Sequence, residues 1–233
     1  MRVLVTRPRG DAQETAAILR ARGHEAVIAP LLDIRDRAGA EIALDGVQAI
    51  LVTSANGIRA LAKRALRRDV KVLAVGAQSN RAARDAGFTD VEHAAGDAAA
   101  LAALAAAQLA PGDGVLLHAA GAETRGALAA TLAAKGFTLR TEVLYEAVPV
   151  EALPVRAADA LAENRLDAVL LYSPRTARIF ATLLARAGLR DSCRAVTALC
   201  ISQATADALA PVAFRAVRVA SHPDQDALLA LLD

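Results

Sequence analysis

The chain has 233 residues, 55% of them hydrophobic and 22% charged, which excludes an intrinsically disordered protein. Its formal net charge of +2 excludes the strongly basic surface of a typical nucleic-acid-binding protein. Aromatic residues make up 3% and tryptophan is absent, so the chain offers no stacking platform for single-stranded nucleic acid.

Short apolar runs alternate with longer amphipathic stretches. The apolar runs predict strands at residues 3–6, 26–29, 49–53, 71–75, 91–93, 115–118, 140–145, 168–172, 195–201 and 216–219. The amphipathic stretches predict helices at residues 12–21, 57–66, 79–86, 98–109, 124–134, 156–163, 176–187, 204–209 and 225–232. Helix ends are predicted at Gly23, Gly87, Gly136 and Gly188, where a glycine cap is expected. This alternation is typical of βαβ units and parallel sheets.

The sequence also repeats itself about half a chain apart. The three matching pairs are residues 3–6 with 115–118, 50–54 with 170–173, and 73–79 with 199–205. Such a long period is not that of a solenoid and predicts two copies of one open α/β domain. Dividing the predicted strands between two copies gives five each, which suits two flavodoxin-like parallel sheets.

Ligands of such sheets bind outside the carboxyl ends of the strands. We therefore expect the functional residues just after the strands, at Thr6-Arg7, Thr53-Ser54-Ala55-Asn56, Gly76-Ala77-Gln78, Ala119-Ala120-Gly121, Ser173-Pro174-Arg175 and Ser202-Gln203. If the two edges face each other, they form an interdomain cleft.

The usual signatures of cofactor sites are missing from the sequence. It contains no G-x-G-x-x-G after a strand, no Walker A loop, no H-E-x-x-H and no G-x-S-x-G elbow. The histidines are scattered, and the spacing of Cys193 and Cys200 fits no zinc motif. We expect neither a metal nor an organic cofactor, and we expect the cysteines to be small buried residues in a reducing compartment.

Small hydroxyl residues lie at the predicted strand-to-helix turns: Thr53, Ser54, Ser79, Ser173, Ser202 and Thr205. One interpretation is helix N-capping, which by itself favours serine and threonine at these positions. The other is an anion site, since free backbone N–H groups and the helix dipole favour carboxylate or phosphate. Positive charge on the same edges would come from Arg7, Arg9, Arg125 and Arg175. The pattern leaves both interpretations open.

The two tyrosines have different sequence contexts. Tyr172 ends an apolar run, which favours packing in the sheet. Tyr145 lies in Glu142-Val143-Leu144-Tyr145-Glu146. Either its ring packs in the sheet, or its hydroxyl serves as a general acid beside the expected cleft.

The opening residues carry no apolar stretch of signal-peptide type, and the most apolar region, 98–110, is too short to span a bilayer. We therefore expect a cytoplasmic protein that does not bind membranes.

Several of these motifs together resemble the uroporphyrinogen-III synthase family over essentially the full length. The motifs are Val3-Leu4-Val5-Thr6-Arg7-Pro8, Leu51-Val52-Thr53-Ser54-Ala55-Asn56-Gly57, Ala74-Val75-Gly76, Val143-Leu144-Tyr145-Glu146, Tyr172-Ser173-Pro174 and Cys200-Ile201-Ser202-Gln203-Ala204-Thr205-Ala206. The resemblance implies two α/β domains joined by a two-stranded β connector at 32–37 and 143–149, with the active site in the cleft between them. It implies a discontinuous domain of residues 1–33 plus 150–233, and an inserted domain of residues 37–145.

The resemblance also implies an activity. The family cyclises hydroxymethylbilane to uroporphyrinogen III, with loss of water and inversion of the last pyrrole ring, as a step of tetrapyrrole biosynthesis that needs no cofactor. It implies a lyase that acts on this small molecule, with no nucleic acid or membrane as partner, and a monomer. The alternative is a non-catalytic two-domain relative of that family, with a small-molecule-binding or regulatory function.

Carried over by position, the family's tyrosine is Tyr145, as proton donor to the departing hydroxyl. The family's hydroxyl residues fall on Thr53, Ser54, Ser173 and Thr205, as substrate-binding residues. We expect the remaining substrate contacts from the other residues of the two edges: Arg7, Gly76, Ser79, Gly121, Arg125, Arg175 and Ser202. The sequence departs from the family at Ser202, where a glycine is usual, and at Ser79, where a threonine is usual.

Overall fold

Strands and helices alternate in the computed structural model, which describes residues 1–123 and 126–233. The strands are β1 (Arg2–Val5), β2 (Glu25–Ile28), β3 (Leu32–Asp36), β4 (Val47–Val52), β5 (Lys71–Val75), β6 (Val91–Ala94), β7 (Val115–Gly121), β8 (Leu139–Pro149), β9 (Ala168–Leu171), β10 (Thr197–Cys200) and β11 (Ala216–Val219). The helices are α1 (Arg9–Ala21), α2 (Ala55–Ala62), α3 (Gly76–Asp85), α4 (Ala98–Gln108), α5 (Ala127–Ala133), α6 (Val155–Ala162), α7 (Pro174–Ala187), α8 (Gln203–Asp207) and α9 (Gln225–Leu229). Short 3₁₀ turns cover Asp191–Ala195 and Ala230–Leu232.

The chain divides into two compact units. Unit 1 combines Met1–Asp33 with Val148–Asp233, and unit 2 is Ile34–Ala147. The sheet of unit 1 has the order β2-β1-β9-β10-β11, with all neighbours parallel. Numbered along the chain within the unit, this is the flavodoxin order 2-1-3-4-5. The strand order therefore confirms the expected fold class for unit 1.

Unit 2 contains a six-stranded sheet with the order β3-β8-β7-β4-β5-β6. Its strands β4 to β8 pair in parallel, whereas β3 lies at the edge beside β8. The backbone N–H of Arg37 donates to the carbonyl of Leu144, at 2.8 Å from nitrogen to oxygen. Together, β3 and β8 form a two-stranded ribbon in the segments where the chain passes between the units.

The internal repeat matches equivalent positions in the two sheets. The pairs β1 and β7, β9 and β4, and β10 and β5 each occupy the same place in their sheets. The first of the parallel strands of unit 2, β4, takes the place that the third strand, β9, has in unit 1. Counted along the chain without the edge strand β3, the order in unit 2 is therefore 3-2-1-4-5, the other common doubly wound order. The repeat alone does not show which strands join which sheet. Each half of the chain contributes strands to both units, and the repeat is circularly permuted.

Helices cover both faces of each sheet, so the central strands are apolar throughout, as expected of parallel sheets. In unit 1, Leu4 faces a cluster with α6 and α7, whereas Val3 and Val5 face one with α1 and α9. All three side chains are fully buried. In unit 2, α2 and α3 cover one face and α4 and α5 cover the other.

Some predicted boundaries are wrong. Strand β7 continues to Gly121, because a register shift after Ala120 lets it keep pairing with β8. Helix α2 ends at Ala62 instead of residue 66, and Leu66 is 78% exposed. Residue 195 belongs to a 3₁₀ turn and not to the strand that follows it. The glycine caps are confirmed at Gly23, Gly87, Gly136 and Gly188, each with positive φ.

Helix α2 packs against β7 through a glycine. A Cβ added to Gly57 would lie 2.3 Å from the carbonyl oxygen of Ala119. An alanine in a helix normally stabilises by about 0.5–1 kcal/mol relative to glycine. Here we expect Gly57→Ala to lower the free energy of unfolding by about 1–3 kcal/mol, because helix and strand must separate.

Urea denaturation measures this effect, with Gly112→Ala as the control. A Cβ at Gly112 meets nothing within 4 Å, and the backbone there has no positive φ. If Gly57→Ala were as stable as the control, the close packing of α2 on β7 would be contradicted.

Candidate functional site

Each unit collects polar residues at the carboxyl edge of its sheet. In unit 2, Thr53 and Ser54 follow β4, Gly76 follows β5, and Gly121 ends β7. The strands β4 and β7 are neighbours, and the chain leaves them in opposite directions along the sheet order. Such a reversal of strand order opens a crevice at the carboxyl ends, which is where open α/β sheets bind ligands.

The turn after β4 presents two hydroxyl groups with different roles. Ser54 is the N-cap of α2, and its Oγ accepts a hydrogen bond from the backbone N–H of Asn56 at 3.2 Å. Thr53 precedes the cap and is exposed. Capping therefore accounts for Ser54 but leaves the Thr53 hydroxyl at the surface of the edge.

A histidine that the sequence did not single out supports Thr53. The Nε2 atom of His118 lies 3.4 Å from Oγ1 of Thr53, and the histidine is only 2% exposed. Burial lowers the pKa of His118 below its usual value, which favours the neutral imidazole. A neutral ring has one donor and one acceptor nitrogen, so it can orient the threonine hydroxyl. No sequence signal identifies His118, because its partner lies 65 residues away.

Helix α3 starts without a side-chain cap. Its first residue, Gly76, has φ +74, and the N-cap position is Val75. Ser79 lies inside the helix and is 5% exposed. Of the two interpretations left open by the sequence, N-capping does not hold for Ser79, because the helix begins directly at the end of the strand.

Tyr145 lies within β8 and not at its end. It is opposite Gly121 in β7, and its carbonyl accepts a hydrogen bond from the backbone N–H of Ala122 at 2.8 Å. The ring is half-buried and packs against the core cluster of unit 2 that includes Leu144. Pairing on β7 thus fixes the backbone of Tyr145, while its side chain stays partly accessible.

The carboxyl edge of unit 1 carries two matching serine–threonine pairs. Ser173 caps α7 and Ser202 caps α8, each through a backbone N–H three residues later. The hydroxyl of Ser173 also lies 2.9 Å from that of Thr176, and the hydroxyl of Ser202 lies 3.0 Å from that of Thr205. Both threonines are buried, whereas both serines are partly exposed. The Ser-x-x-Thr spacing is visible in the sequence and would have identified Thr176.

Arg7 follows β1 and is held by contacts inside unit 1. Its guanidinium donates to Oε1 of Gln225 at 2.7 Å and pairs with Asp11 at 3.3 Å. It also stacks on the ring of Tyr172, 4.2 Å from the centroid. The side chains of Arg7 and Asp11 are only 10% and 9% exposed. Burial raises the pKa of Tyr172, and the charge of Arg7 opposes this shift.

The other arginines that the sequence predicts at the two edges lie in different places. Arg175 lies in the first turn of α7 and is half-buried. Arg125 lies outside the described residues. Elsewhere in unit 1, a cavity of about 220 Å³ is lined by Arg2, Arg156 and Arg165 and lies near the amino ends of β1 and β2.

Within residues 1–123 and 126–233, no group of three or more histidine, cysteine, aspartate or glutamate side chains is placed to hold a metal ion. Both cysteines are buried, and burial raises the pKa of the Cys193 and Cys200 thiols to about 12. Neither thiol is therefore activated as a nucleophile. None of the helices in the described part of the chain has the length and apolarity to cross a membrane.

The buried histidine makes stability depend on pH. The folded protein holds His118 neutral, whereas the unfolded chain protonates it near its ordinary pKa of about 6.5. We expect no effect of His118 above that pH, and a loss of unfolding free energy as the pH falls below it, by at most about 1.4 kcal/mol per pH unit. His118→Gln should remove this part of the acid-side loss.

Urea denaturation between neutral and mildly acidic pH measures the difference between parent and variant. His222→Gln, which replaces an exposed histidine, is the matched control and should follow the parent. Identical pH dependence in the parent and in His118→Gln would show that burial does not keep the ring neutral.

Comparison with known proteins agrees with the fold. A uroporphyrinogen III synthase from Helicobacter pylori matches with a TM-score of 0.64 and 16% identity, over 100% of this chain and 98% of that chain. A mutant of the enzyme from the extremely thermophilic bacterium Thermus thermophilus matches with a TM-score of 0.50 and 20% identity, over 100% and 97%. At these identities, the structural likeness shows the fold alone. A search of curated proteins found no match.

The family comparison extends over almost the whole sequence. The model of the family described as uroporphyrinogen-III synthase HemD matches residues 13–230. That range contains both tyrosines and every predicted site residue except Thr6, Arg7 and Arg9. With this match and the two-unit fold together, the chain belongs to the uroporphyrinogen-III synthase family.

Proposed function

We propose that the protein converts hydroxymethylbilane into uroporphyrinogen III, as a lyase of tetrapyrrole biosynthesis that needs no cofactor. The observation that carries this proposal is the family match over residues 13–230. It is supported by polar residues at the carboxyl edges of both sheets and by a partly accessible phenol on β8. We further propose that the enzyme acts as a monomer in the cytoplasm.

The chemistry requires little from the protein beyond binding and a proton. The pyrrole ring that carries the hydroxymethyl group supplies the electron pair that breaks the bond between the methylene carbon and the hydroxyl oxygen. A proton delivered to that oxygen lets it leave as water. The last ring then inverts through a spiro intermediate, and the macrocycle closes as the pyrrole carbon that forms the new bond loses its proton. The enzyme must hold the chain in the geometry for inversion and protonate the departing oxygen.

Tyr145 is our proposed proton donor. A phenol is neutral at physiological pH and can donate a proton within hydrogen-bond reach of the departing oxygen. The strand pairing at Gly121 holds the tyrosine backbone in place, so its hydroxyl needs little reorganisation in order to react.

The substrate carboxylates are the proposed ligands of the carboxyl edges. At the N-termini of α2 and α7, backbone N–H groups and the helix dipole favour negative charge. The exposed hydroxyl of Thr53 and the partly exposed serines Ser54, Ser173 and Ser202 are suited to contact a carboxylate. The buried Thr205 acts through Ser202, to which its hydroxyl is close. We propose further substrate contacts from the expected residues Arg7, Gly76, Ser79, Gly121, Arg125 and Arg175.

The central test is Tyr145→Phe, assayed with enzymatically generated hydroxymethylbilane and separation of the porphyrin isomers. Hydroxymethylbilane also closes slowly by itself to the uninverted type I isomer. Loss of the general acid should slow turnover by roughly 10²-fold, so that type I accumulates. The fold should persist, because the ring still packs and only one oxygen is lost.

Tyr172→Phe is the matched control, since it removes the only other phenol hydroxyl of the chain. It should still give type III at a rate close to that of the parent. All proteins are first dialysed against a chelator, so that any activity measured does not depend on a bound metal ion. A parent protein that forms no type III would favour the non-catalytic alternative. A Tyr145→Phe variant as fast as the parent would remove Tyr145 from the reaction.

A further inference from the structure

Gly121 lies directly against the phenol ring of Tyr145. A Cβ added to this glycine would be 2.7 Å from Cζ of the tyrosine, 2.9 Å from its hydroxyl oxygen and 3.0 Å from Cε2. These are the three nearest atoms to the added carbon. They are also the reactive end of the ring, which carries the hydroxyl group. Any side chain at position 121 would therefore displace the phenol itself.

The backbone does not explain this glycine. Glycines such as Gly76 and Gly114 have positive φ, which other residues rarely adopt, but Gly121 does not. It closes β7 in a paired, extended segment, where most residues fit. The close approach of the ring is thus the physical reason for a residue without a side chain at this position.

We propose that Gly121 is a positioning residue, whose missing side chain sets where the hydroxyl of Tyr145 lies and thereby the rate of proton delivery to the substrate. This inference rests on the proposed role of Tyr145. In this role Gly121 acts on the reaction through the position of the tyrosine ring, which is a different function from a direct contact with the substrate.

The register shift between Ala120 and Gly121 contributes to the arrangement. It brings Gly121 opposite Tyr145, whereas Ala120 pairs with Val143, two residues earlier in β8. The backbone N–H of Ala122 then donates to the carbonyl of Tyr145 at 2.8 Å. The tyrosine is fixed at its backbone by this bond and limited at its ring by the glycine. A displacement of about 1 Å at a reacting group can cost about 10²-fold in rate.

The test uses Gly121→Ala, with Gly112→Ala as the control in open space. The chain has two tyrosines, so selective labelling of tyrosine rings gives two sets of NMR signals, assigned with Tyr172→Phe. In Gly121→Ala we expect the Tyr145 ring signal to shift and the Tyr172 signal to stay. An unchanged Tyr145 signal would overturn the proposal, because the ring would not have moved.

Turnover rates and isomer ratios then test whether Gly121 affects the reaction through the phenol of Tyr145. We expect Gly121→Ala to turn over about 10- to 100-fold more slowly than the parent and to release more type I isomer. Adding Gly121→Ala to Tyr145→Phe should cause little further loss, because the hydroxyl is already gone. If the two losses multiplied, the glycine would act on the substrate directly and the positioning role would be wrong.

A stability measurement covers the case in which Gly121→Ala folds poorly. Tyr145→Ala removes the three ring atoms that the new methyl group meets, so adding Gly121→Ala to Tyr145→Ala should lower the free energy of unfolding much less than Gly121→Ala does in the parent. An equal loss in both backgrounds would contradict the proposal. Failure of the proposed reaction is recognised separately, since the parent would then form no type III isomer even though the ring signal shifts in Gly121→Ala.

Discussion

Parallel pairing brings all the carboxyl ends of one sheet to a single edge, and the rest of the molecule depends on that constraint. It places the turn after β4 beside the end of β7, and the turn after β1 beside the turn after β9. Residues far apart in sequence therefore meet at one edge. The helices that follow these strands start there, so backbone N–H groups and capping serines collect at the same place.

Capping and binding are compatible functions for these serines. Ser173 and Ser202 each accept a backbone hydrogen bond and each contact a buried threonine hydroxyl. A serine whose oxygen accepts from both the backbone N–H and the threonine hydroxyl keeps its own O–H for an anion. The sequence left capping and binding as alternatives; the structure shows capping by both serines, and binding stays a proposal.

Most strands and helices were predictable, since their apolar periodicity and glycine ends are local signals. The circular permutation was not, because it depends on which strands pair and not on which residues form strands. Likewise, Arg7 meets Gln225 across 218 residues, and His118 meets Thr53 across 65. The residues of the two edges were predictable from their position after the strands, whereas the role of Tyr145 came from the family resemblance. The close approach of Gly121 to Tyr145 appears only with side-chain coordinates, since it depends on a shift in register within a strand pair.

We propose that the carboxyl edge of each unit contributes contacts to the tetrapyrrole. Backbone amide shift mapping of the parent protein, titrated with uroporphyrinogen III under anaerobic conditions, tests it most directly. We expect the largest shifts in the turns after β9 and β10 of unit 1 and after β4 and β5 of unit 2. Shifts confined to the amino edge of unit 1, where a cavity is lined by Arg2, Arg156 and Arg165 together with the acidic Glu25 and Asp159, would contradict it.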